Sequence, residues 1–464
     1  MVFSSPLFIF VFLTVVLAVY YILPKKFRNV FLLIADLIFY GWGEPVMVLL
    51  MLFSIIINYI AGLLISKTDD KKKKAILIAS VVIDLGILGF FKYAGFITEN
   101  LNIVMPFLNI QKIIVPLPIG ISFYTFQIMS YTIDVYRNDT QAQKSLVAFG
   151  TYVSLFPQLI AGPIVRYRDV DDQLCGRREN IDQFARGVRF FLLGLAKKVL
   201  LANPMGSLWD SLRETPDGGI LGSWVGVIAF SFQIYFDFSG YSDMARGLGN
   251  MFGFEFLENF NFPYISSSIT EFWRRWHMSL GTWFKEYVYI PLGGNRKGKG
   301  RTVLNLLIVW LLTGLWHGAS WNFVLWGLYF GVILIIEKLF LLKILERIPK
   351  VFSHVYALFL IVFGWVIFYF ADDVGGLSAM LDFIPSLFRG KAVSADALTV
   401  IISGIPMLAV AAVASTPLIR KIYMRLRNRK GFVFAELIAS AIILVLSVAS
   451  LVGDSYNPFL YFKF

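Results

Sequence analysis

The chain has 464 residues, is 58% hydrophobic and carries a net charge of +12; its mean hydropathy is +0.71. Soluble domains run at roughly 45–50% apolar residues, so a soluble protein is excluded and a polytopic membrane protein is expected. The positive charge gathers in short loops between apolar runs, at 24–28, 67–74, 295–301 and 420–430, which is the positive-inside pattern of cytoplasmic loops and not a nucleic-acid surface.

Residues 7–23 form an apolar run whose first basic neighbours, Lys25 and Lys26, follow it. A signal peptide has the opposite charge order, so a retained first span is expected. Segments 29–40 and 46–65 come next, split by the helix-breaking 41–45, and the first of them is short for a full crossing. The span expected at 75–91 contains Asp84, a carboxylate that must face a partner or a cavity. In the apolar segment 115–135, Ser122, Tyr124, Gln127 and Tyr131 point to contact with other helices and not with lipid. The Pro- and Gly-rich 156–166 reads as irregular backbone buried in protein. The single cysteine, Cys175, excludes an intrachain disulfide framework and a CxxC metal site, and no metal is expected.

Segment 184–202 is amphipathic, with Lys197 and Lys198 placed to snorkel towards phosphates. A span is expected at 223–238, followed by a polar run from Gln233 to Arg246 with a glycine break at Gly240. Its Asp237, Ser239, Tyr241 and Asp243 need a shared network or a water-filled cavity, and either carboxylate could orient a histidine. Apolar segments 303–315, 321–336, 355–370, 398–413 and 432–451 bring the total to roughly eleven spanning or half-spanning helices, with others lying at the interface. The expected fold is all-α, one transmembrane domain over 1–464 arranged around an intramembrane cavity, with its catalytic core in 231–330.

Two of the three histidines lie in that core, each directly after a tryptophan. Histidine exchanges a proton near neutral pH, which makes this the place to look for chemistry. Ser268-Ile-Thr-Glu271 fits a capping box, so a helix is expected from Ile269 until Pro291 stops it. Its Trp273, Trp276, Leu280, Trp283, Phe284 and Tyr287 recur at 3- and 4-residue steps, opposite Arg275, Ser279, Thr282 and Glu286. His277 falls on the edge of that aromatic face. His317 lies about 24 Å along a helix from Arg301, well within a bilayer, and an ionisable residue there is a functional candidate by default. Gly314 and Gly318 leave room beside it for a ligand or another backbone. His354 has no such company.

Five runs carry a family resemblance: Tyr235-Phe-Asp-Phe-Ser-Gly-Tyr-Ser-Asp-Met-Ala, Asn261-Phe-Pro-Tyr, Glu271-Phe-Trp-Arg-Arg-Trp-His-Met-Ser-Leu, Tyr289-Ile-Pro-Leu-Gly-Gly-Asn-Arg296 and Leu315-Trp-His-Gly-Ala-Ser-Trp321. Together with Ala161-Gly-Pro-Ile-Val-Arg166 and Gly194-Leu-Ala-Lys-Lys198, the chain closely resembles the membrane-bound O-acyltransferase superfamily, in the branch of the alginate O-acetyltransferase membrane subunit. The resemblance implies a bacterial inner-membrane enzyme with His317 as catalytic histidine and His277 as the second. It implies an acyl thioester co-substrate such as acetyl-CoA reached from the cytosol and a polysaccharide hydroxyl outside, with the acyl group often passed to an extracytoplasmic acetyltransferase partner. Trp276, Trp316, Arg275, Ser320 and Asn322, with Asp237, Ser239, Tyr241 and Asp243, are expected around the substrates. Arg296, Lys297 and Lys299, with Lys197 and Lys198 as contributors, are expected to meet the donor's phosphates. The alternatives are D-alanyl transfer to teichoic acid, and a transporter whose path is lined by Asp84, Lys92, Asp237, Asp243 and His317.

Overall fold

The structure, a computed structural model, describes residues 1–160, 162–371, 374–453 and 460, and within them every regular element is helical. Ala161, the first residue of the 161–166 motif, lies outside the described residues. The chain folds as two compact units, Met1–Phe191 with Asp243–Leu257, and Leu192–Ser242 with Glu258–Phe464.

In the first unit lie α1 (Leu7–Ile22), α2 (Arg28–Gly41), α3 (Met47–Lys67), α4 (Asp70–Val104) and α5 (Ile121–Arg137). The span expected at 75–91 is part of a 35-residue helix, α4, because no proline interrupts it before Pro106. At 1.5 Å per residue it is about 52 Å long, so its charged ends extend past a hydrocarbon core of about 30 Å. Asn58 Nδ2 donates to Asp84 Oδ1 at 2.8 Å and Lys92 Nζ donates to Ser122 Oγ at 3.3 Å. Both ionisable groups therefore have protein partners. Of the 17 residues of α5, 14 are buried, so this polar helix is enclosed by protein, as its composition predicts. In the 156–166 segment one helical turn, Phe156–Leu159, is buried and its first N–H donates to Asp36 Oδ1 at 2.9 Å, and the described residues 162–166 are irregular and largely buried.

Two helices are shared by the units: α6 (Ile181–Ala196), prolonged by a π-helical stretch to Ala202, and α7 (Gly219–Met251). The expected break at Gly240 is absent, and α7 runs unbroken for 33 residues. Glycine is needed there for packing and not for a turn. A Cβ at Gly240 would lie 2.7 Å from Gly194 O, and one at Gly247 would lie 2.6 Å from Gly187 O. Small residues let two helix backbones approach this closely.

The second unit adds α8 (Ile269–Arg275), α9 (Met278–Phe284), α10 (Gly298–His317), α11 (Trp321–Ile336), α12 (Lys350–Tyr369), α13 (Ala395–Ala414), α14 (Leu418–Leu426) and α15 (Phe432–Gly453). Its core is aromatic, with Trp326 and Trp365 almost fully buried. Ring centroids lie 4.7 Å apart for both Trp273–Trp310 and Trp276–Trp365. Such pairs add about 0.5–1.5 kcal/mol each beyond their burial. By length and apolarity six described helices can cross a membrane unaided: α3, α4, α7, α12, α13 and α15. The larger number expected from sequence includes shorter helices such as α2, with 14 residues, and α11, with 16.

Candidate active site

Helix α8 starts where its cap predicts. Ser268 Oγ accepts the Glu271 N–H at 3.0 Å, while Glu271 accepts the Ser267 N–H at 2.9 Å, one residue beyond the expected reciprocal bond to Ser268. A second cap comes from a distant residue. Glu337, fully buried at the end of α11, accepts from Ile269 N and Thr270 N, each at 2.7 Å, and from Thr270 Oγ1 at 2.6 Å. A carboxylate at a helix N-terminus satisfies orphan donors and meets the positive end of the dipole.

The helix does not continue to Pro291. Trp276 is extended, with φ −102° and ψ 129°, and His277 is left-handed, with φ 45° and ψ 53°; α9 then restarts and passes into a π-helical stretch, Lys285–Tyr289. The reason is tertiary. Asn261 N donates to Arg275 O and Met278 N donates to Asn259 O, both at 2.9 Å, so a strand-like strip at 259–261 claims backbone groups that a continuous helix would use. A non-glycine residue in this region costs about 1–2 kcal/mol, which these bonds offset. His277 is therefore set apart from the aromatic helix face at the break itself.

At that break Asn259 controls the imidazole. Ser279 N lies 3.1 Å from Asn259 Oδ1, and since a backbone N–H can only donate, the amide oxygen must be on that side. The same oxygen accepts Ser279 Oγ at 2.9 Å and faces His277 Nδ1 at 3.2 Å, while Asn259 Nδ2 donates to Ser242 Oγ at 3.1 Å. The proton of neutral His277 is thus on Nδ1. Its Nε2 keeps the lone pair, and that atom is buried with no hydrogen-bond partner among the described residues. Burial pushes the ring's pKa down to about 3, so it stays neutral across the physiological range. Neutral His277 presents an acceptor at Nε2 and cannot polarise a carbonyl through it.

His317 is the last residue of α10, which continues to it as the sequence predicts, and it is buried. The glycines around it serve helix packing. A Cβ on Gly314 would lie 2.2 Å from Phe323 O, and one on Gly318 would lie 2.2 Å from the Phe323 ring. Aromatic rings wall His317 in, with centroids at 5.0 Å for Trp316, 5.1 Å for Trp326 and 5.2 Å for Phe368. Trp316 is also 5.9 Å from the His277 ring. The two histidines thus share one tryptophan.

The other expected residues divide. Trp276 packs in the aromatic core against Trp365. Ser320 caps α11, accepting Asn322 N at 3.3 Å, and Asn322 Nδ2 donates to Ile367 O at 3.3 Å, both residues being buried. Ser239 and Tyr241 are buried on α7. Asp237 pairs with Lys198 at 2.9 Å and accepts Leu460 N at 2.9 Å, so it is occupied by a cation and is not the group that holds His277. Lys198, also bonded to Asn203 at 2.8 Å, is almost fully buried; its partners hold it inside the protein, so it does not snorkel to a donor, whereas Lys197 is half-buried. Asp243 belongs to the first unit, where it faces Arg246 at 3.5 Å. Arg275 is held by Glu271 at 2.9 Å. Arg296, Lys297 and Lys299 are all exposed. His354 faces Ser266 O at 3.0 Å. Asn259 and Glu337 were not expected here. Nothing local in the sequence singles out Asn259, set between Glu258 and Phe260, or Glu337.

Comparison with known proteins gives the family. The membrane-bound O-acyltransferase family matches residues 45–379. A probable alginate O-acetylase AlgI of Pseudomonas putida is 40% identical over 488 aligned positions that cover 100% of both chains. Its Azotobacter vinelandii namesake is 46% identical over 373 residues, 79% of this chain and 75% of that one. A peptidoglycan O-acetyltransferase of Helicobacter pylori is 34% identical over 405 residues, covering 79% of this chain and 77% of the other. On the matched length and these identities, the chain belongs to the membrane-bound O-acyltransferase family and is an acyltransferase.

Proposed function

We propose that the protein works in a bacterial inner membrane, moving an acetyl group from cytosolic acetyl-CoA to hydroxyls of a cell-surface polysaccharide, directly or through an extracytoplasmic transferase. The relatives' names support the acetyl group and the polymer. The observation that carries the reading is the pair of buried histidines on either side of Trp316, since buried ionisable groups in a membrane protein are costly unless used.

In this reading His317 is the general base. It takes the proton of the acceptor hydroxyl as that oxygen attacks the thioester carbonyl, then returns it to the leaving thiolate as the tetrahedral intermediate collapses. Base catalysis of this kind contributes about 10²–10⁴-fold. His277 accepts a hydrogen bond from a polar hydrogen of donor or acceptor, such as an amide N–H of the thioester's pantetheine arm. The oxyanion needs a donor, and the Trp326 indole N–H, buried beside His317 with no hydrogen-bond partner among the described residues, is suited to it. The exposed Arg296, Lys297 and Lys299 meet the donor's phosphates. Purified protein in vesicles, given acetyl-CoA labelled in the acetyl group and either acetylated-polymer precursor or the partner transferase, should release CoA and acetylate the acceptor. Transfer of D-alanine in its place, or passage of intact polymer without any transfer, would overturn the reading.

A further inference from the structure

The geometry points to a second binding site in this molecule, one for the headgroup of an anionic phospholipid. A groove of about 510 Å³ lies in the second unit. Four cations line it: Arg275 from α8, and Arg420, Lys421 and Arg425 from α14. Two are neutralised nearby, Arg275 by Glu271 at 2.9 Å and Arg420 by Glu258 at 3.3 Å. Lys421 and Arg425 have no carboxylate within ion-pair distance among the described residues. The groove thus holds two uncompensated positive charges, which calls for an anion. Apart from Asn261, its remaining wall is apolar, formed by Phe262, Ile265, Pro417 and Met424, so the anion it fits has a hydrocarbon attached.

The setting selects a lipid. Helix α14 joins two candidate spans, α13 and α15, which are only 17% and 6% buried within the protein and so face lipid along most of their length. The helix itself buries no residue. It carries half-exposed Leu418, Ile419 and Ile422 on one side and its basic residues on the other, the pattern of a helix lying at headgroup level. A phospholipid moving sideways from the bilayer reaches the groove with its phosphate towards Lys421 and Arg425 and its chains along the apolar wall.

The same groove touches the backbone that shapes His277. Arg275 Nη1 donates to Asn261 O at 3.1 Å, and Asn261 N donates to Arg275 O at 2.9 Å. Two residues further in, Asn259 holds His277. Phe262, in the groove wall, has φ 47°, left-handed like His277. Strained non-glycine residues persist where the surroundings hold them, and a bound headgroup adds one more hold on this strip. The site is independent of which polymer is acetylated.

The test uses the full-length protein in uncharged detergent. Its Tm is followed during titration with short-chain phosphatidylglycerol, with phosphatidylcholine of the same chain length and with CoA. Phosphatidylglycerol should raise Tm saturably and phosphatidylcholine should not. The exposed double variant Lys421→Gln/Arg425→Gln should weaken the phosphatidylglycerol effect on the order of thirtyfold and leave the effect of CoA unchanged. Equal responses to the two lipids, or an unaltered phosphatidylglycerol response in the variant, would overturn the site. Loss of the CoA response with the lipid response intact would make the groove part of the donor site and would also overturn it.

Discussion

Removing Asn259 should disable His277 without touching its ring. In Asn259→Ala the Ser279 N–H and the His277 Nδ1–H, now 3.1 and 3.2 Å from Asn259 Oδ1, lose their acceptor while buried; Ser279 Oγ can rotate to another. Each stranded donor costs about 1–3 kcal/mol, so on the order of 2–6 kcal/mol of stability is lost, and the remaining neighbour of Nδ1, Ser279 Oγ at 3.4 Å, can donate or accept and so does not fix the proton there. Asn259→Asp is the sharper change. It keeps an oxygen facing Nδ1 but adds a negative charge within contact of the ring, which raises a histidine pKa by about one to three units. His277, held near 3 by burial, would then gain a proton as pH falls towards 5, and a protonated Nε2 cannot accept. Acyl transfer and Tm would be measured from pH 5 to 8 for both variants. Asn259→Ala should show a lower Tm and slow transfer at every pH. Asn259→Asp should work near pH 8 and lose activity on acidification sooner than wild type. An Asn259→Ala protein with wild-type Tm and rate, or an Asn259→Asp profile superimposed on wild type, would refute the tautomer argument.

Acid should also unfold the protein through His277: its folded pKa lies below the ordinary 6.5, so below pH 6.5 the unfolded chain binds a proton that the folded ring refuses, and stability falls with pH by about 1.4 kcal/mol per unit. His277→Gln should flatten the stability difference between pH 7 and pH 5 by roughly 2 kcal/mol, and an unchanged difference would contradict the buried neutral ring. Gly314→Ala places a Cβ 2.2 Å from Phe323 O; overpacking of this kind costs about 1–3 kcal/mol and should lower Tm and kcat together. Gly300→Ala, with nothing within 4 Å of the new Cβ, should do neither. Neutralising Arg296, Lys297 and Lys299 with Gln should raise the KM for acetyl-CoA more than it lowers kcat, and an unchanged KM would return that loop to a purely topological role.

What the sequence made legible, it did through local rules. The cap at Ser268, the continuation of α10 to His317 and the polar enclosure of α5 all follow from short-range chemistry and hydropathy; Ser320, expected beside the substrates, caps α11. The failures share a cause in long-range contacts. The aromatic period through 269–291 is helical, yet the strip at 259–261 takes its backbone groups and breaks it at His277. Gly240 looked like a break because glycine's two uses, turning a chain and admitting a neighbour, cannot be told apart without knowing that Gly194 lies opposite. Read singly, Lys198 suits a phosphate and Asp237 a histidine, yet in the fold they are each other's partner. Glu337 caps a helix that begins 68 residues before it, and no sequence pattern joins the two.

His317→Gln asks whether His317 carries the proton in acyl transfer. Glutamine keeps much of the size and some of the hydrogen bonding but cannot act as base. Reconstituted wild-type and variant proteins would receive labelled acetyl-CoA and the acceptor, with transfer, donor affinity and Tm followed side by side. Transfer by His317→Gln should be lower by about 10²–10⁴-fold, with Tm and donor affinity near wild type and a smaller loss for His277→Gln. Near-normal acetylation by His317→Gln would contradict that role for His317.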